Sequence, residues 1–383
     1  MTAPQSRRVC GKSMTSEEYW LERTLKLEAE SNRQCKITAR EIEKLYDSAL
    51  ENTQARMLRL FNRFQKRYGL TPEQATHLLT VRQTQDARER LLRQMAKIKD
   101  PIFKEKLRAA VDAPAYALRI SQLQVIRDEV TADMLSTGVE FTQITKERLT
   151  DLYKNGYYRT AFNLSQEQGF NVPFQTLTDR RANAAVERYW SASPKAQAGN
   201  YSSRIWSNTE KLAEDVREIV TNGMMTGQSY DFMAEELRLR IGVANYKKRI
   251  TGDGHVAETL TGSGEKYRAS LLVRTEGSYI SGQATLEGLK DAGRDMYSFV
   301  AVLERHTCKV CGNLDRKEFF ISEQLPGRNC NPMHPGCRCH VAPKVSTEML
   351  ARMKRASNME GRKDVVPASM TFPQWKEKFV DNG

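Results

Sequence analysis

Hydrophobic residues recur at helical spacing through most of the first 245 residues of the chain. The clearest stretch follows Thr38-Ala-Arg-Glu41, in which a hydroxyl and a carboxylate three residues apart favour the start of a helix. Apolar side chains then return every three or four positions, which places them on one helix face: Ile42, Leu45, Tyr46, Ala49, Leu50, Met57, Leu60, Phe61 and Phe64. This stripe is long and narrow, so it predicts a helix that is covered by another helix or by another subunit.

The same spacing continues along the chain, interrupted by proline and glycine. Pro72 stands where a second helix would begin and Gly138 where another would end. The sequence Gly169-Phe-Asn-Val-Pro173 breaks the pattern, and helical spacing resumes at 174–245. Residues 246–264 are rich in glycine, threonine and charge, which predicts a mobile loop.

The pattern changes near residue 265. A long apolar helix is followed by three short stretches with the composition of strands, at 296–303, 318–321 and 339–343. They predict a small antiparallel sheet with the helix packed on it. The expected fold class is therefore mainly α, with a long helical N-terminal part followed by a small α+β cysteine-rich C-terminal module.

The chain divides into four regions by these patterns. We expect an extended helical, basic region (1–170), a helical connecting region with the mobile loop (171–264), the α+β module with its Cys/His cluster (265–345) and a C-terminal helical tail (346–383).

Five of the seven cysteines lie in the short span between Cys308 and Cys339. Thiolates and imidazoles at close spacing suit a tetrahedral metal, most often zinc. Four protein ligands would close the site, which makes the metal structural rather than catalytic. The simplest ligand set is Cys308, Cys311, His334 and Cys337, with Cys339 or His340 as substitutes. The alternative is a module of reduced thiols held by ordinary packing, and the role of Cys330 stays open.

Arg274 and Glu276 stand on the apolar helix before the cysteines. An arginine and a glutamate on such a helix form either part of an active site or a buried, hydrogen-bonded anchor. We favour the structural anchor, because the sequence offers no base, nucleophile and phosphate cradle arranged around the pair.

Charge and hydropathy limit the partners of the chain. Of its formal net charge of +13, residues 1–110 carry an excess of nine, with 23 Lys and Arg against 14 Asp and Glu. A basic field favours a polyanion such as DNA, although a solvated helix surface with surplus lysine and arginine would show the same excess. No apolar run approaches the roughly 20 residues that cross a bilayer. The N-terminal sequence lacks the apolar core of a secretory signal, so Cys10 and Cys35 are expected to be free thiols in a reducing compartment.

Several short motifs carry a resemblance to a known family. In chain order they are Arg274-Thr275-Glu276, Gln283-Ala284-Thr285, Tyr297-x-Phe299, Cys311, Leu314-Asp315, Phe319, Met333-His334-Pro335 and Cys337-Arg338. Their order and spacing resemble the phage head-morphogenesis, or minor capsid, proteins of the Mu F-like family, over residues 200–345. The chain departs from the family pattern at Arg316, where a glycine is common, and at Cys339, where a small hydroxyl residue is common.

This resemblance implies a structural component of the virion that is not an enzyme. It implies an association with portal and capsid proteins, and a role in head assembly and in DNA packaging or delivery. The expected location is the virion, and the host cytoplasm during assembly. The basic helical part would contact packaged double-stranded DNA, and the N-terminal helices could also self-associate.

Two other classes of function remain open from the residues alone. One is a metal-dependent enzyme such as a nuclease or protease, against which the cysteine cluster offers no open coordination position and only Asp315 as a nearby carboxylate. The other is a zinc-containing nucleic-acid-binding protein, against which the basic charge is concentrated far from the cysteines along the chain.

Overall fold

The computed structural model describes residues 16–68, 122–167, 175–191, 197–225, 230–250, 256–302, 307–344, 354–359 and 362–367, together with Arg93, Ala96 and Gln374. The helix expected to begin at Pro72 and the break expected at 169–173 lie outside these residues.

Helices dominate the described residues, which confirms the mainly α fold class. We number them in chain order: α1 (Ser16–Tyr68), α2 (Gln122–Glu167), α3 (Asp179–Val186), α4 (Tyr201–Met225), α5 (Tyr230–Ile241), α6 (Gly264–Asp291) and the short α7 (Lys309–Leu314).

Helix α6 is the centre of the molecule and is packed by α1, α2 and α4. These helices share one hydrophobic core, to which α3 and α5 also contribute. On α1 the predicted stripe supplies Ile42, Tyr46, Ala49 and Met57, all of which are buried in this core. The stripe is therefore covered by helices of the same chain as far as Met57.

Small residues let the neighbours of α6 approach its backbone closely. A side chain at Gly277 would meet the Cys35 thiol of α1, and one at Gly288 would meet Thr160 of α2. At Gly282 a side chain would meet Asn331 of the C-terminal module. The glycines of α6 thus set the distance to three different parts of the fold.

The helix end expected at Gly138 is wrong, because α2 continues through this residue to Glu167. Gly138 lies where α2 crosses α4, and a Cβ there would stand 2.5 Å from the Thr209 side chain. The glycine allows a close helix crossing here, and such a packing requirement looks the same in the sequence as a helix stop.

Residues 246–264 lie largely in a β-hairpin and not in an irregular loop. Strand β1 (Val243–Ile250) pairs antiparallel with β2 (Val256–Ser263). The register runs from Val243 opposite Ser263 to Ile250 opposite Val256. The composition rich in threonine, glycine and charge concealed this pairing.

The small antiparallel sheet expected after α6 is present. Strand β3 (Met296–Val300) lies between β4 (Glu318–Phe320) and β5 (His340–Pro343), and it is antiparallel to both. A 3₁₀ turn (Ile321–Glu323) follows β4. Strand β5 contacts both α1 and α6, so the sheet is joined to the helical core on its β5 side.

The tail was expected to be helical, but its described part contains a second hairpin. Strands β6 (Lys354–Met359) and β7 (Arg362–Pro367) pair antiparallel. Residues 345–353, which hold most of the sequence that suggested a helix, lie outside the described part. In the part that is described, no helix is both long and apolar enough to cross a membrane.

Candidate metal centre

The first part of the site is α7, which lies against the end of strand β3. Cys308 caps this helix, and its Sγ accepts a hydrogen bond of 3.3 Å from the backbone N–H of Cys311. At the other end of α7, the Asp315 carboxylate accepts a bond of 2.9 Å from the Ala301 N–H. The N–H of Arg316 donates to the Phe299 carbonyl at 2.8 Å. The Cys308-x-x-Cys311 turn is thereby held at a fixed place on the sheet.

The second part is the loop from Asn331 to Cys339, which is tied to α6 at two points. The Asn331 side-chain amide donates to the Ser278 carbonyl at 2.6 Å. The backbone N–H of Gly336 donates to the Thr275 hydroxyl at 2.9 Å, and Gly336 has a φ of 71°. Within the loop, the Cys337 N–H donates to the His334 carbonyl at 3.1 Å. These bonds bring Cys337 and Cys339 over the end of α7.

Five soft donors meet between these two parts, in two overlapping groups. The ligand atoms of Cys308, Cys311 and His334 all lie within 4.8 Å of one another, and so do those of Cys311, Cys337 and Cys339. Cys311 belongs to both groups, and its Sγ lies 4.0 Å from that of Cys337.

This donor set fits a tetrahedral metal. Zinc–sulfur bonds of about 2.3 Å place two ligand sulfurs roughly 3.8 Å apart at the tetrahedral angle. The 4.0 Å separation between Cys311 and Cys337 is close to this value. The cluster is one that could hold a metal such as zinc.

All four residues of the predicted ligand set, Cys308, Cys311, His334 and Cys337, lie in this cluster. Cys339, expected only as a substitute, lies in it as well. His340 and Cys330 belong to neither group. His340 lies buried on β5, and Cys330 lies in a separate apolar cluster beside Tyr297 and Leu289. That the four predicted residues bind a metal stays a prediction.

The thiols of the cluster differ in acidity because they hydrogen-bond one another. Hydrogen bonds with Cys311 and Cys339 lower the pKa of Cys337 well below its usual value. The hydrogen bond with Cys337 raises the pKa of Cys311, and hydrogen bonding with Cys311 and Cys337 raises that of Cys339. Cys337 is therefore the most acidic of these three thiols.

Charged residues surround the loop that carries Cys337 and Cys339. Burial raises the pKa of Glu28, on α1, to about 7, against the opposing effects of Arg338 and Arg274. Burial also lowers the pKa of Arg338 to about 10, with repulsion from Arg274 as the next cause. These three residues come from α1, α6 and the loop, so the charges of three elements meet beside the cysteines.

The predicted anchor residues Arg274 and Glu276 serve different neighbours. Glu276 is 2% exposed; it accepts a hydrogen bond of 3.0 Å from the Trp190 indole and forms an ion pair with Arg204. The Arg204 guanidinium also lies 4.2 Å from the centre of the Trp190 ring, which stacks on Tyr279. The anchor was expected to hold α6 to the module that follows it. Glu276 instead ties α6 to α4 and to Trp190 before it, whereas Arg274 acts on Glu28 and Arg338.

Sequence reasoning missed two residues that contribute to this region. Thr275 was noted only as part of a motif, yet its hydroxyl holds the cysteine loop at Gly336. Glu28 is more than 240 positions from Arg274, the nearest along the chain of the module residues that act on its pKa. No local pattern connects residues that distant, so only the fold could reveal the second contact.

Comparison with known proteins gives one family match. Residues 214–342 match the family model described as Phage Mu protein F like protein. This span runs from within α4 to β5 and includes all five residues of the cysteine–histidine cluster. No curated protein and no solved structure matches the chain. The family match confirms the resemblance predicted from the motifs and supports a role in phage head morphogenesis.

Proposed function

Since residues 214–342 are a Phage Mu protein F-like region, we propose that this protein is a minor capsid protein of a phage that acts during head morphogenesis. It associates with the portal and inner capsid, takes part in DNA packaging or delivery, and is carried in the virion. During assembly it is present in the host cytoplasm. The observation that carries this proposal is the family match.

In this proposal the protein acts by docking and not by catalysis. The fold supports this view, because the side chains at the centre of the matched region are engaged in holding elements together. The Asp315 carboxylate, four positions after Cys311, accepts the backbone N–H of Ala301. Thr275 and Asn331 hold the cysteine loop to α6.

The proposal includes a structural zinc ion in the cysteine–histidine cluster. The three buried cysteines of the site pack in an apolar cluster that has only three other buried members: Phe299, Ala301 and Met333. A bound metal adds the stability that such a small core lacks. Zinc would supply no reaction in this role; it would fix α7 to the loop that carries Cys337 and Cys339.

The proposal also includes contact between the N-terminal region and packaged DNA. It is supported by the excess of nine positive charges in residues 1–110. Phosphate contacts of lysine and arginine release counterions, so the affinity should fall steeply with salt and depend little on base sequence. A filter-binding series from 50 to 300 mM salt tests this point. Binding that is absent at low salt, or confined to one sequence, would remove DNA contact from the proposal.

The association with the portal is tested by co-expression. The full chain is produced together with the portal protein of the same phage and, as a control, with a phage protein that is not part of the head. We expect a complex with the portal that survives size-exclusion chromatography. Quantitative mass spectrometry of purified virions should then find a few copies per particle. A chain that is missing from washed virions, or that never binds portal, would contradict the proposed role.

A further inference from the structure

The cluster holds more soft donors than one tetrahedral metal requires. Zinc takes four ligands in a structural site, whereas five residues meet here in two groups that share Cys311. The question is which four of the five bind, and burial and hydrogen bonding distinguish them.

Three of the five donors are enclosed by the fold. Cys311 and Cys337 are each 1% exposed and Cys339 is 4% exposed, and their sulfurs form one of the two groups. They also pack in the same apolar cluster as Phe299 and Met333. A metal at this group would sit inside the module and be shielded from water on most sides.

The other two donors, Cys308 and His334, lie half-buried on the outer side of Cys311. Each is oriented for binding. The Cys308 Sγ accepts the N–H of Cys311, which holds the sulfur beside Cys311. The His334 Nδ1 lies 3.0 Å from the Pro335 carbonyl; because a carbonyl only accepts, Nδ1 carries the proton and the Nε2 lone pair is available. A histidine that binds a metal through one ring nitrogen usually donates the N–H of the other nitrogen to such an acceptor.

From these contacts we propose that Cys311, Cys337 and Cys339 are the fixed ligands of one zinc ion, and that Cys308 and His334 are interchangeable ligands for the fourth position. This inference rests on the proposed zinc site and changes its ligand set. Cys339 becomes a required ligand instead of a substitute. Loss of either outer donor leaves a complete tetrahedral set.

Zinc content of the purified full-length protein tests the proposal through four variants. We expect Cys308→Ser and His334→Ala each to keep about one zinc per chain, because the other outer donor completes the site. The double variant and Cys339→Ser should lose zinc, or bind it at least about tenfold more weakly. Cys330→Ser is the matched control, since it removes a buried thiol outside both groups.

A spectroscopic count of sulfur ligands is made on the variants that keep the metal, so it does not depend on variants that fail to fold. Cobalt(II) replaces zinc, and the intensity of the thiolate-to-cobalt absorption reports the number of sulfurs. The His334→Ala protein should show four sulfurs and the Cys308→Ser protein three. The proposal is overturned if Cys339→Ser binds zinc normally while Cys308→Ser or His334→Ala loses it. In that case the set is Cys308, Cys311, His334 and Cys337, and the zinc site itself still stands. A wild-type protein that binds no zinc would overturn both.

Discussion

At the scale of single residues, the structure explains features that looked anomalous in the sequence. Arg316, which stands where a glycine is common in the family, has a φ of 69°, in the left-handed region. A residue with a side chain is strained there and glycine is not. The family preference for glycine therefore has a backbone cause, and this chain tolerates the strain at the turn that follows α7.

The strain at Arg316 can be measured by two substitutions. Arg316→Ala and Arg316→Gly both remove the guanidinium, but only the glycine variant relieves the backbone. We expect Arg316→Gly to be more stable than Arg316→Ala by about 1 kcal/mol in the free energy of unfolding. Urea denaturation measures this difference. Equal stabilities would show that the turn carries no strain.

Glu28 should make stability depend on pH. Its folded-state pKa of about 7 lies above the ordinary value of 4.5 for a glutamate, so the unfolded chain loses this proton first as the pH rises. The contribution of Glu28 to the free energy of unfolding is therefore fully present below the unfolded-state pKa of 4.5. It is lost as the pH rises from 4.5 to 7.

The Glu28→Gln variant isolates this contribution. Glutamine cannot ionise, so the variant should gain on the order of 1 kcal/mol in unfolding free energy relative to wild type between pH 5 and pH 7.5. Glu30→Gln is the control and should show no such gain. The hydrogen bond with Arg33 lowers the pKa of Glu30 to about 2. A wild-type-minus-variant difference that is constant with pH would contradict the assigned cause.

At the scale of elements, close contact at glycine organises the helices around α6. A Cβ on Gly277 would stand 2.1 Å from the Cys35 sulfur, so α1 and α6 meet at near-backbone distance. The sequence predicted the apolar stripe of α1 and the apolar α6 correctly, because both follow from local periodicity. It misplaced a helix start at Thr38, since α1 runs unbroken from Ser16 and the Thr38 hydroxyl donates to the Gln34 carbonyl within the helix. It could not show which glycine ends a helix and which admits a neighbour, as Gly138 demonstrates. It also missed the β1–β2 hairpin, whose pairing depends on register and not on composition.

The Gly277 contact predicts a destabilising substitution with a specific rescue. In an open helix, glycine to alanine stabilises by up to about 1 kcal/mol. At this position we expect Gly277→Ala to cost about 2 kcal/mol, because the added methyl group overlaps the thiol. Cys35→Ala in the same chain should recover most of the loss, because it removes the overlapping sulfur and keeps the Cβ, which lies 3.8 Å away. A double variant whose loss is the sum of the two single losses would show that the two residues do not constrain each other.

At the scale of the whole molecule, the cysteine module and the helical core are one packed unit. Strand β5 contacts α1 and α6, and the loop before it is bonded to α6 at Thr275 and Ser278. The spacing of Cys308, Cys311, His334 and Cys337 predicted one ligand set, but Cys337 shares a group with Cys311 and Cys339 and not with Cys308 or His334. The sequence could not show that Cys339, and not His340, lies among the clustered donors, because this depends on how the loop enters β5, whose register is set by β3.

This continuity predicts that metal removal affects more than the module. Strong chelation should lower the melting temperature of the full chain by roughly 5 °C or more. The helical circular dichroism signal should shift with it in the same transition. The Cys330→Ser protein should respond as wild type does. If the helices melt unchanged after chelation, then the module is energetically separate from the core.

The most direct measurement of the central claim is made on phage particles. A nonsense mutation in this gene is introduced into the phage that encodes the chain, and the wild-type chain is supplied in trans as the control. Electron microscopy and DNA quantification of the particles from a suppressor-free host give the result. The account predicts defective or DNA-deficient heads that complementation restores. Normal, full and infectious particles that lack the chain would contradict a role in head morphogenesis.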